Sequence, residues 1–116
     1  MELQQHIERT RAELDQEWVE LHKWLDSYFD DFHCSAHWLI LHHNLGLELA
    51  VKRYGEAARE AARIHIIDDL GFVPEGPTDP HLLDQIYIEH AGVLRQAETI
   101  LSEIYDDTFE LTRTSE

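Results

Sequence analysis

Residues 36–71, AHWLILHHNLGLELAVKRYGEAAREAARIHIIDDLG, decide the fold class, because two helical patterns in this stretch are each followed by a glycine. An apolar stripe with helical spacing is formed by Trp38, Leu41, Leu45 and Leu49. It predicts a helix over Ala36–Tyr54 that ends at Gly55. Small residues lie on or beside one face at Ala57, Ala58, Ala61 and Ala62. They predict a helix over Glu56–Leu70 that ends at Gly71.

The residues before this stretch carry a longer apolar stripe. Spacings of three, four and seven separate most members of the series Leu3, Ile7, Leu14, Trp18, Leu21, Leu25, Tyr28 and Phe32. They predict one long amphipathic helix. A break within Asp26–Cys34 is favoured over continuation, and Ser35 could then cap the next helix.

The stretch Gly71–Pro80 is the only clear loop, because it contains all three prolines and two of the five glycines. Thr78 or Asp79 is expected to cap a fourth helix, with Pro80 at its first position. A seam continues this helix to about Asp107 and consists of Leu83, Ile86, Val93, Ala97, Ile100 and Ile104. The predicted fold is therefore all-α: a four-helix bundle with two long outer helices and two shorter central ones.

Composition predicts a single helical domain over residues 1–116. Apolar residues make up 43% and charged residues 28%, which is typical of a globular rather than a disordered chain. The acidic N-terminus does not look like a secretory signal, and the one cysteine, Cys34, fits a reducing compartment. We therefore expect a cytoplasmic protein without a membrane span.

The formal net charge of −15 narrows the possible partners. Such a charge repels nucleic-acid backbones and anionic membrane surfaces, so neither is an expected partner. It favours metal cations and basic protein surfaces instead.

The histidine-rich composition, with nine histidines, predicts one shared polar site. His22 and Asp26 are four residues apart, as are His65 and Asp69, so each pair lies on one helical face. Three of the predicted helices direct a histidine at or near the core. The predicted site consists of His22, Asp26, His37, His42, His65, Asp68 and Asp69.

These side chains suit a divalent metal ion. Neutral imidazoles and carboxylates are ligands of zinc, manganese, iron and nickel, and the pattern does not choose among them. With an open coordination position, such a site could activate water for hydrolysis, although the sequence leaves open whether the protein is an enzyme. The same residues also fit buried His–Asp hydrogen bonds between helices without any metal.

The other histidines have weaker patterns. His33, Cys34 and His37 form a second candidate ligand set, but a regular helix cannot direct all three at one ion, so a plain buried thiol is favoured. His43 is expected to point away from the apolar stripe. A structural or solvent-exposed role is expected for His6, His81 and His90.

Three short motifs carry a resemblance to a known family. They are HKWLD at His22–Asp26, HHNLG at His42–Gly46 and HIIDDLGFVP at His65–Pro74. These motifs and the segment His37–Pro74 resemble a family of short bacterial proteins, a domain of unknown function with HxWxD, HHxxG and HxxDDxGxxP elements. The resemblance covers about half of the chain and implies that the seven predicted site residues belong together. It implies no activity.

The same segment also resembles HD-domain metal phosphohydrolases, in which a histidine opens one helix and an adjacent His-Asp pair ends a later one. His42 and His65 would occupy those positions, which implies metal-dependent chemistry. The chain departs from that pattern, because Ile66 follows His65 and the aspartates come later, at Asp68 and Asp69.

A different class of function is also consistent with the sequence. The seams of the first and fourth predicted helices are long, and one small protomer is not expected to cover both fully. The alternative is therefore an acidic helical interaction module that forms a homodimer or binds a basic protein partner, with a purely structural His/Asp cluster.

Overall fold

The structure is a computed structural model that describes residues 2–86, 88 and 90–111, and within these residues it contains helices and no strands. The all-α prediction is confirmed. In chain order the helices are α1 (Leu3–Leu14), α2 (Val19–Leu25), α3 (Phe29–Phe32), a 3-10 turn (Ser35–His37), α4 (Trp38–Leu41), α5 (Asn44–Tyr54), α6 (Ala58–Leu70), α7 (Pro80–Gln85) and α8 (Ala91–Tyr105).

The first predicted long helix is divided much earlier than expected. α1 ends where Asp15 adopts the left-handed conformation at φ 58°, and its N–H donates to the Arg11 carbonyl at 3.0 Å. Trp18, also left-handed at φ 54°, then begins α2. A left-handed tryptophan is unfavourable and carries no recognisable sequence signal, so an apolar stripe alone could not predict this corner. The predicted break within Asp26–Cys34 is present as well.

The predicted helix over Ala36–Tyr54 is divided at the two adjacent histidines. His43 is extended and caps α5, because its Nδ1 accepts the Gly46 N–H at 3.2 Å. Gly46 also approaches the preceding helix so closely that a Cβ atom would lie 1.9 Å from the Leu41 carbonyl oxygen. Only glycine fits there, and the chain therefore turns directly after His42.

The second predicted long helix is divided into α7 and α8. Its beginning is as predicted: Asp79 Oδ1 accepts the His81 N–H at 2.8 Å, and Pro80 occupies the first turn. The helix ends at Gln85, however, because Ile86 and His90 both have extended backbones. The four-helix bundle with two long outer helices is therefore not confirmed.

α6 is the central helix of the packing and contacts α1, α2 and α5. Ala58, Ala61 and Ala62 are fully buried on it, and their small side chains allow this close approach, as predicted. The helix ends at Gly71, whose φ of 86° suits glycine. α8 is held on the other side, where the Tyr105 hydroxyl donates to the Ile40 carbonyl at 2.6 Å.

The helix boundaries bear on two expectations, one about a membrane span and one about protein partners. No helix in the described part of the chain has the length and apolar character that crossing a membrane requires. The homodimer prediction rests on two long seams, and the basic-partner prediction rests on those seams and on the net charge of −15. The seams are divided among shorter helices, and both stay predictions.

Candidate metal centre

Most of the histidines are inside the protein. Of the nine histidines in the chain, the six that are buried are His6, His22, His37, His42, His43 and His65. All but His43 lie with two aspartates in what we call the His/Asp cluster, which consists of His6, His22, Asp26, His37, His42, His65 and Asp69. An imidazole is rarely buried without a partner, so this concentration requires a chemical explanation.

Local structure explains how distant segments supply the cluster. α1 and α2 supply His6 and His22, and Asp26 follows directly after α2. The 3-10 turn ends with His37, and the sharp turn after α4 directs the side chain of His42 into the same cluster. His65 and Asp69 lie one turn apart on α6, as their spacing of four predicts.

Four atoms form the centre of the cluster: Asp26 Oδ1, His42 Nε2, His65 Nε2 and Asp69 Oδ2. His42 Nε2 lies 3.0 Å from the Asp69 oxygen and 3.4 Å from the Asp26 oxygen. His65 Nε2 lies 3.4 Å and 3.2 Å from the same two oxygens. The four side chains offer ligand atoms that all lie within 4.8 Å of one another.

These separations match the edges of a metal coordination shell. A tetrahedral ion with ligands at about 2.0–2.1 Å places neighbouring ligand atoms roughly 3.3 Å apart. The four nitrogen–oxygen separations, 3.0–3.4 Å, lie close to that value. These protein atoms could therefore hold a metal ion.

The hydrogen bonds among Thr10, His22 and His65 determine which nitrogen of neutral His65 carries the hydrogen and which presents a lone pair to the carboxylates. The Thr10 hydroxyl donates to the Glu17 carbonyl at 2.9 Å, so its oxygen accepts from His22 Nε2 at 3.0 Å. A neutral His22 then accepts through Nδ1 from His65 Nδ1 at 2.8 Å. Neutral His65 therefore carries its hydrogen on Nδ1, and its Nε2 lone pair points at Asp26 and Asp69.

His37 has the same orientation. Its Nδ1 donates to the Cys34 carbonyl at 2.9 Å, because a carbonyl can only accept. The Nε2 atom of neutral His37 therefore also presents a lone pair to Asp26 Oδ1, at 3.5 Å. Lone pairs that face a carboxylate repel it unless a proton or a metal ion lies between them.

The carboxylates have the ionisation that metal ligands need. Burial alone would raise the pKa of Asp26, but the hydrogen bonds that His37, His42 and His65 donate to it in their protonated forms outweigh burial and hold that pKa well below its usual range. For Asp69 the corresponding hydrogen bonds come from His42, His6 and His65, and they likewise outweigh burial and lower the pKa.

The pKa values of His22 and His65 shift in opposite directions. Burial lowers the pKa of His22 to about 3, and repulsion from His65 and His6 adds to this effect. Burial opposes the charge on His65 too, but hydrogen bonds to Asp26 and Asp69 outweigh it and raise the pKa of His65. His65, which faces the carboxylates, therefore takes up a positive charge more readily than His22. His22 stays neutral, as its hydrogen bonds with Thr10 and His65 require.

His6, His22 and His65 form a second group with ring nitrogens close together. Their geometry suits residues that position the metal ligands rather than residues that bind an ion themselves. The rings of His6 and His65 stack with centroids 3.6 Å apart and planes inclined by 15°. Metal bonds lie in the ring plane, so two stacked rings cannot both point at one ion. His22 and His65 are joined at 2.8 Å, which is a hydrogen-bond distance.

His6 is the residue that sequence reasoning missed. We expected it to be structural or solvent-exposed, yet it is fully buried with Nε2 3.2 Å from Asp69 Oδ1. Because His42 and His65 approach the other oxygen of Asp69, His6 fixes the orientation of that carboxylate. Its position directly before Ile7, on the buried face of α1, was the available signal.

Asp68 is the predicted site residue that the structure places elsewhere. Its Oδ2 lies 3.4 Å from Arg9 Nε, and it belongs to neither group of candidate ligands in the described chain. Consecutive helix residues are rotated by about 100°. That rotation turns Asp69 toward the histidines and Asp68 toward α1.

The second predicted ligand set is not assembled. His33 is exposed, Cys34 is half-buried, and neither occurs in a candidate ligand group within the described residues. His37 turns instead toward Asp26. His81 and His90 are exposed, in agreement with a solvated role.

His43 was expected to point away from the core stripe, but it is fully buried. Its Nε2 donates to the Leu39 carbonyl at 2.9 Å, while Nδ1 accepts from Gly46. Burial lowers the pKa of His43 to about 4. This histidine therefore caps a helix and is not part of the His/Asp cluster.

A cleft of about 570 Å³ reaches the cluster from one side. Its lining includes Glu2, Asp26, Phe29, Asp30, His37, Trp38 and Asp69. The Asp26 side chain retains 29% exposure, whereas that of Asp69 retains 4%. The candidate ligands are thus accessible from the side of Asp26 and His37, and closed on the side of His6 and His22.

Comparisons with known proteins add no assignment: no family model, no curated protein and no solved structure matches this chain. The functional argument rests on the cluster itself.

Proposed function

We propose that the protein binds one divalent metal ion at Asp26, His42, His65 and Asp69. The observation that carries this proposal is the convergence of two imidazole nitrogens and two ionised carboxylate oxygens, with four nitrogen–oxygen distances of 3.0–3.4 Å and all ligand atoms within 4.8 Å of one another. Two carboxylates would neutralise the charge of a divalent ion. His37 Nε2, 3.5 Å from Asp26 Oδ1, is a further ligand on the side of the cleft.

The supporting residues require a cation between His65 and the two carboxylates. A structural His–Asp network needs hydrogens directed from the imidazoles to the carboxylates. Here His22, oriented by Thr10, takes up the Nδ1 hydrogen of His65, so the Nε2 atom of His65 bonds to Asp26 and Asp69 only through an added proton or a metal ion. That arrangement resembles the outer partners that orient metal-bound histidines in known sites. The mixed nitrogen and oxygen ligands suit zinc, manganese, iron or nickel.

The open side suggests hydrolase-like chemistry. A divalent ion held by Asp26, His42, His65 and Asp69 would supply Lewis-acid and water-activating chemistry. The cleft beside Asp26 and His37 would give a substrate access to that ion. The likeness to short bacterial proteins with HHxxG and HxxDDxGxxP elements remains part of this proposal, as does a cytoplasmic location.

Elemental analysis of protein purified without a histidine tag tests the proposal. We expect close to one divalent ion per chain, removable by a chelator and restored by added zinc, manganese, iron or nickel. The double variant Asp26→Asn/Asp69→Asn should lose this ion while His81→Ala, which removes an exposed histidine, should keep it. Sub-stoichiometric metal in the unmodified protein that does not respond to any of these ions would contradict the proposal.

A further inference from the structure

We infer that the cleft beside the His/Asp cluster selects a small organic cation with an apolar arm, such as a primary amine. This inference rests on the proposed function, because it concerns the substrate of that same metal site. Four features of the cleft carry it: its acidic lining, its aromatic walls, the charge that a bound ion would leave, and the place of the candidate ligands at its floor.

The lining of the cleft is acidic. Glu2 and Asp30 stand at its walls, and Asp26 and Asp69 lie at its floor. None of the described residues that line the cleft is a lysine or an arginine. A divalent ion would offset the charge of the two floor carboxylates and leave the wall carboxylates unneutralised. The cleft would therefore attract a cation and repel a phosphate ester even when it is loaded with metal.

Aromatic side chains supply the second feature. Phe29 retains 45% exposure, and its ring packs edge-on against His37 with centroids 5.4 Å apart. Trp38 is half-buried beside the same histidine. Aromatic faces bind alkyl and aryl groups and also attract ammonium groups through cation–π interactions. The walls thus combine the two surfaces that an amine with an apolar arm requires.

The positions of these groups relative to the candidate ligands give the cleft its direction. Asp26 and His37 belong to both the cluster and the cleft, so a molecule held between Phe29 and Trp38 would lie beside the ion. This placement also separates the inference from the phosphohydrolase resemblance. A phosphohydrolase needs cationic side chains or further metal ions around its substrate, and the cleft has acidic walls instead.

Three probes that share a phenyl ring test the inference by isothermal titration calorimetry. Phenethylamine carries a positive charge, 2-phenylethanol is neutral and phenyl phosphate is negative. We expect phenethylamine to bind zinc-loaded protein about tenfold more tightly than 2-phenylethanol, and phenyl phosphate to bind more weakly than either. Equal binding of the three probes, or a preference for phenyl phosphate, would overturn the inference.

Two variants and a control locate the binding. Asp30→Asn and Phe29→Ala change exposed positions, so both should fold, and each should weaken phenethylamine binding by about fivefold. Asp31→Asn alters the neighbouring exposed carboxylate, which does not line the cleft, and should change nothing. If Asp31→Asn weakens binding as much as Asp30→Asn, the effect is general charge and the inference fails.

Metal content measured on the same samples separates the two proposals. If zinc binds at one ion per chain but the amine shows no preference, the substrate inference fails and the proposed function stands. If no metal binds, the proposed function fails, and the substrate inference fails with it even when the amine binds the acidic walls. Tight zinc binding together with an amine preference that depends on Asp30 and Phe29 supports both.

Discussion

His42 and His43 are adjacent, equally buried and the same residue type, but their side chains face two different regions of the molecule. His42 faces the carboxylates of Asp26 and Asp69, whereas His43 faces the backbone of Leu39 and Gly46. Burial therefore does not identify a metal ligand. The group that contacts the ring nitrogen identifies it. A carboxylate favours a cation at that nitrogen, and a backbone amide favours a neutral ring.

The largest expected difference between the two regions is in metal affinity. His42→Ala should weaken metal binding by more than about 100-fold, above the 10–100-fold loss typical of supporting residues. His43→Ala removes the same ring volume but only a helix cap, so its folded form should bind metal within about threefold of the unmodified protein. Competition against a chromophoric chelator measures both affinities.

The stability of the two variants provides the control for this comparison. In the presence of a chelator, His43→Ala should lower the free energy of unfolding by about 2 kcal/mol, through the lost cap and the cavity. Added metal should stabilise His43→Ala strongly and His42→Ala hardly at all. A metal response of the same size in both variants would mean that His42 is not a ligand.

The turn between the two histidines provides the next prediction. Gly46→Ala places a Cβ atom against the Leu41 backbone, and the turn that positions both histidines must shift. We expect a loss of about 3 kcal/mol in the free energy of unfolding, measured with urea in chelator, since overpacking against backbone is poorly relieved. Gly92→Ala, a helical position with open space, should not destabilise the protein. Similar losses in both variants would contradict the steric explanation.

Part of this architecture was predictable because its signals are local. Gly71 and the Asp79–Pro80 pair mark helix ends through backbone geometry that the residues themselves require, and both were predicted. The corner at Asp15 and Trp18 was not, because tertiary contacts hold it. The Thr10 hydroxyl binds the Glu17 carbonyl across this corner, a contact between residues seven apart that periodicity cannot show.

The site was predictable for a similar reason and to a similar extent. The spacing of His65 and Asp69 correctly brings them together on α6, but Asp26 faces His37, His42 and His65 rather than its own sequence partner, His22. Helix α2 ends at Leu25 and Asp26 follows as its C-cap, so helical spacing no longer applies there. His6 was missed because one histidine on a helix gives no pattern.

Acid should affect His43 through stability. Its folded pKa of about 4 is below the value of 6.5 in the unfolded chain because burial disfavours the charged ring. Protonation would also set Nδ1–H against the Gly46 N–H. The unfolded state therefore binds more protons between these values. The contribution of His43 to stability is complete above pH 6.5 and is lost as the pH falls toward 4.

The full loss should be on the order of 3 kcal/mol, from the size of the shift, and about 2 kcal/mol of it should fall between pH 7 and pH 5. His43→Asn retains a capping side chain without a titratable ring, so urea unfolding in chelator at pH 7, 6 and 5 should show a shallower decline for this variant. The comparison subtracts the titration of the cluster, which both proteins share. Parallel pH profiles for the two proteins would show that His43 does not titrate on unfolding.

The smallest expected effect belongs to Thr10, which contacts no candidate ligand. Thr10→Val removes the hydroxyl that accepts from His22 and donates to Glu17, without changing the side-chain shape. His22 can then exchange tautomers, and His65 no longer presents a fixed Nε2 lone pair. We expect metal affinity to fall by about tenfold and the nitrogen-15 spectrum of His65 to lose its single Nδ1–H tautomer. Thr10→Ser restores the hydroxyl and should recover both, whereas a purely structural role would leave the affinity of folded Thr10→Val unchanged.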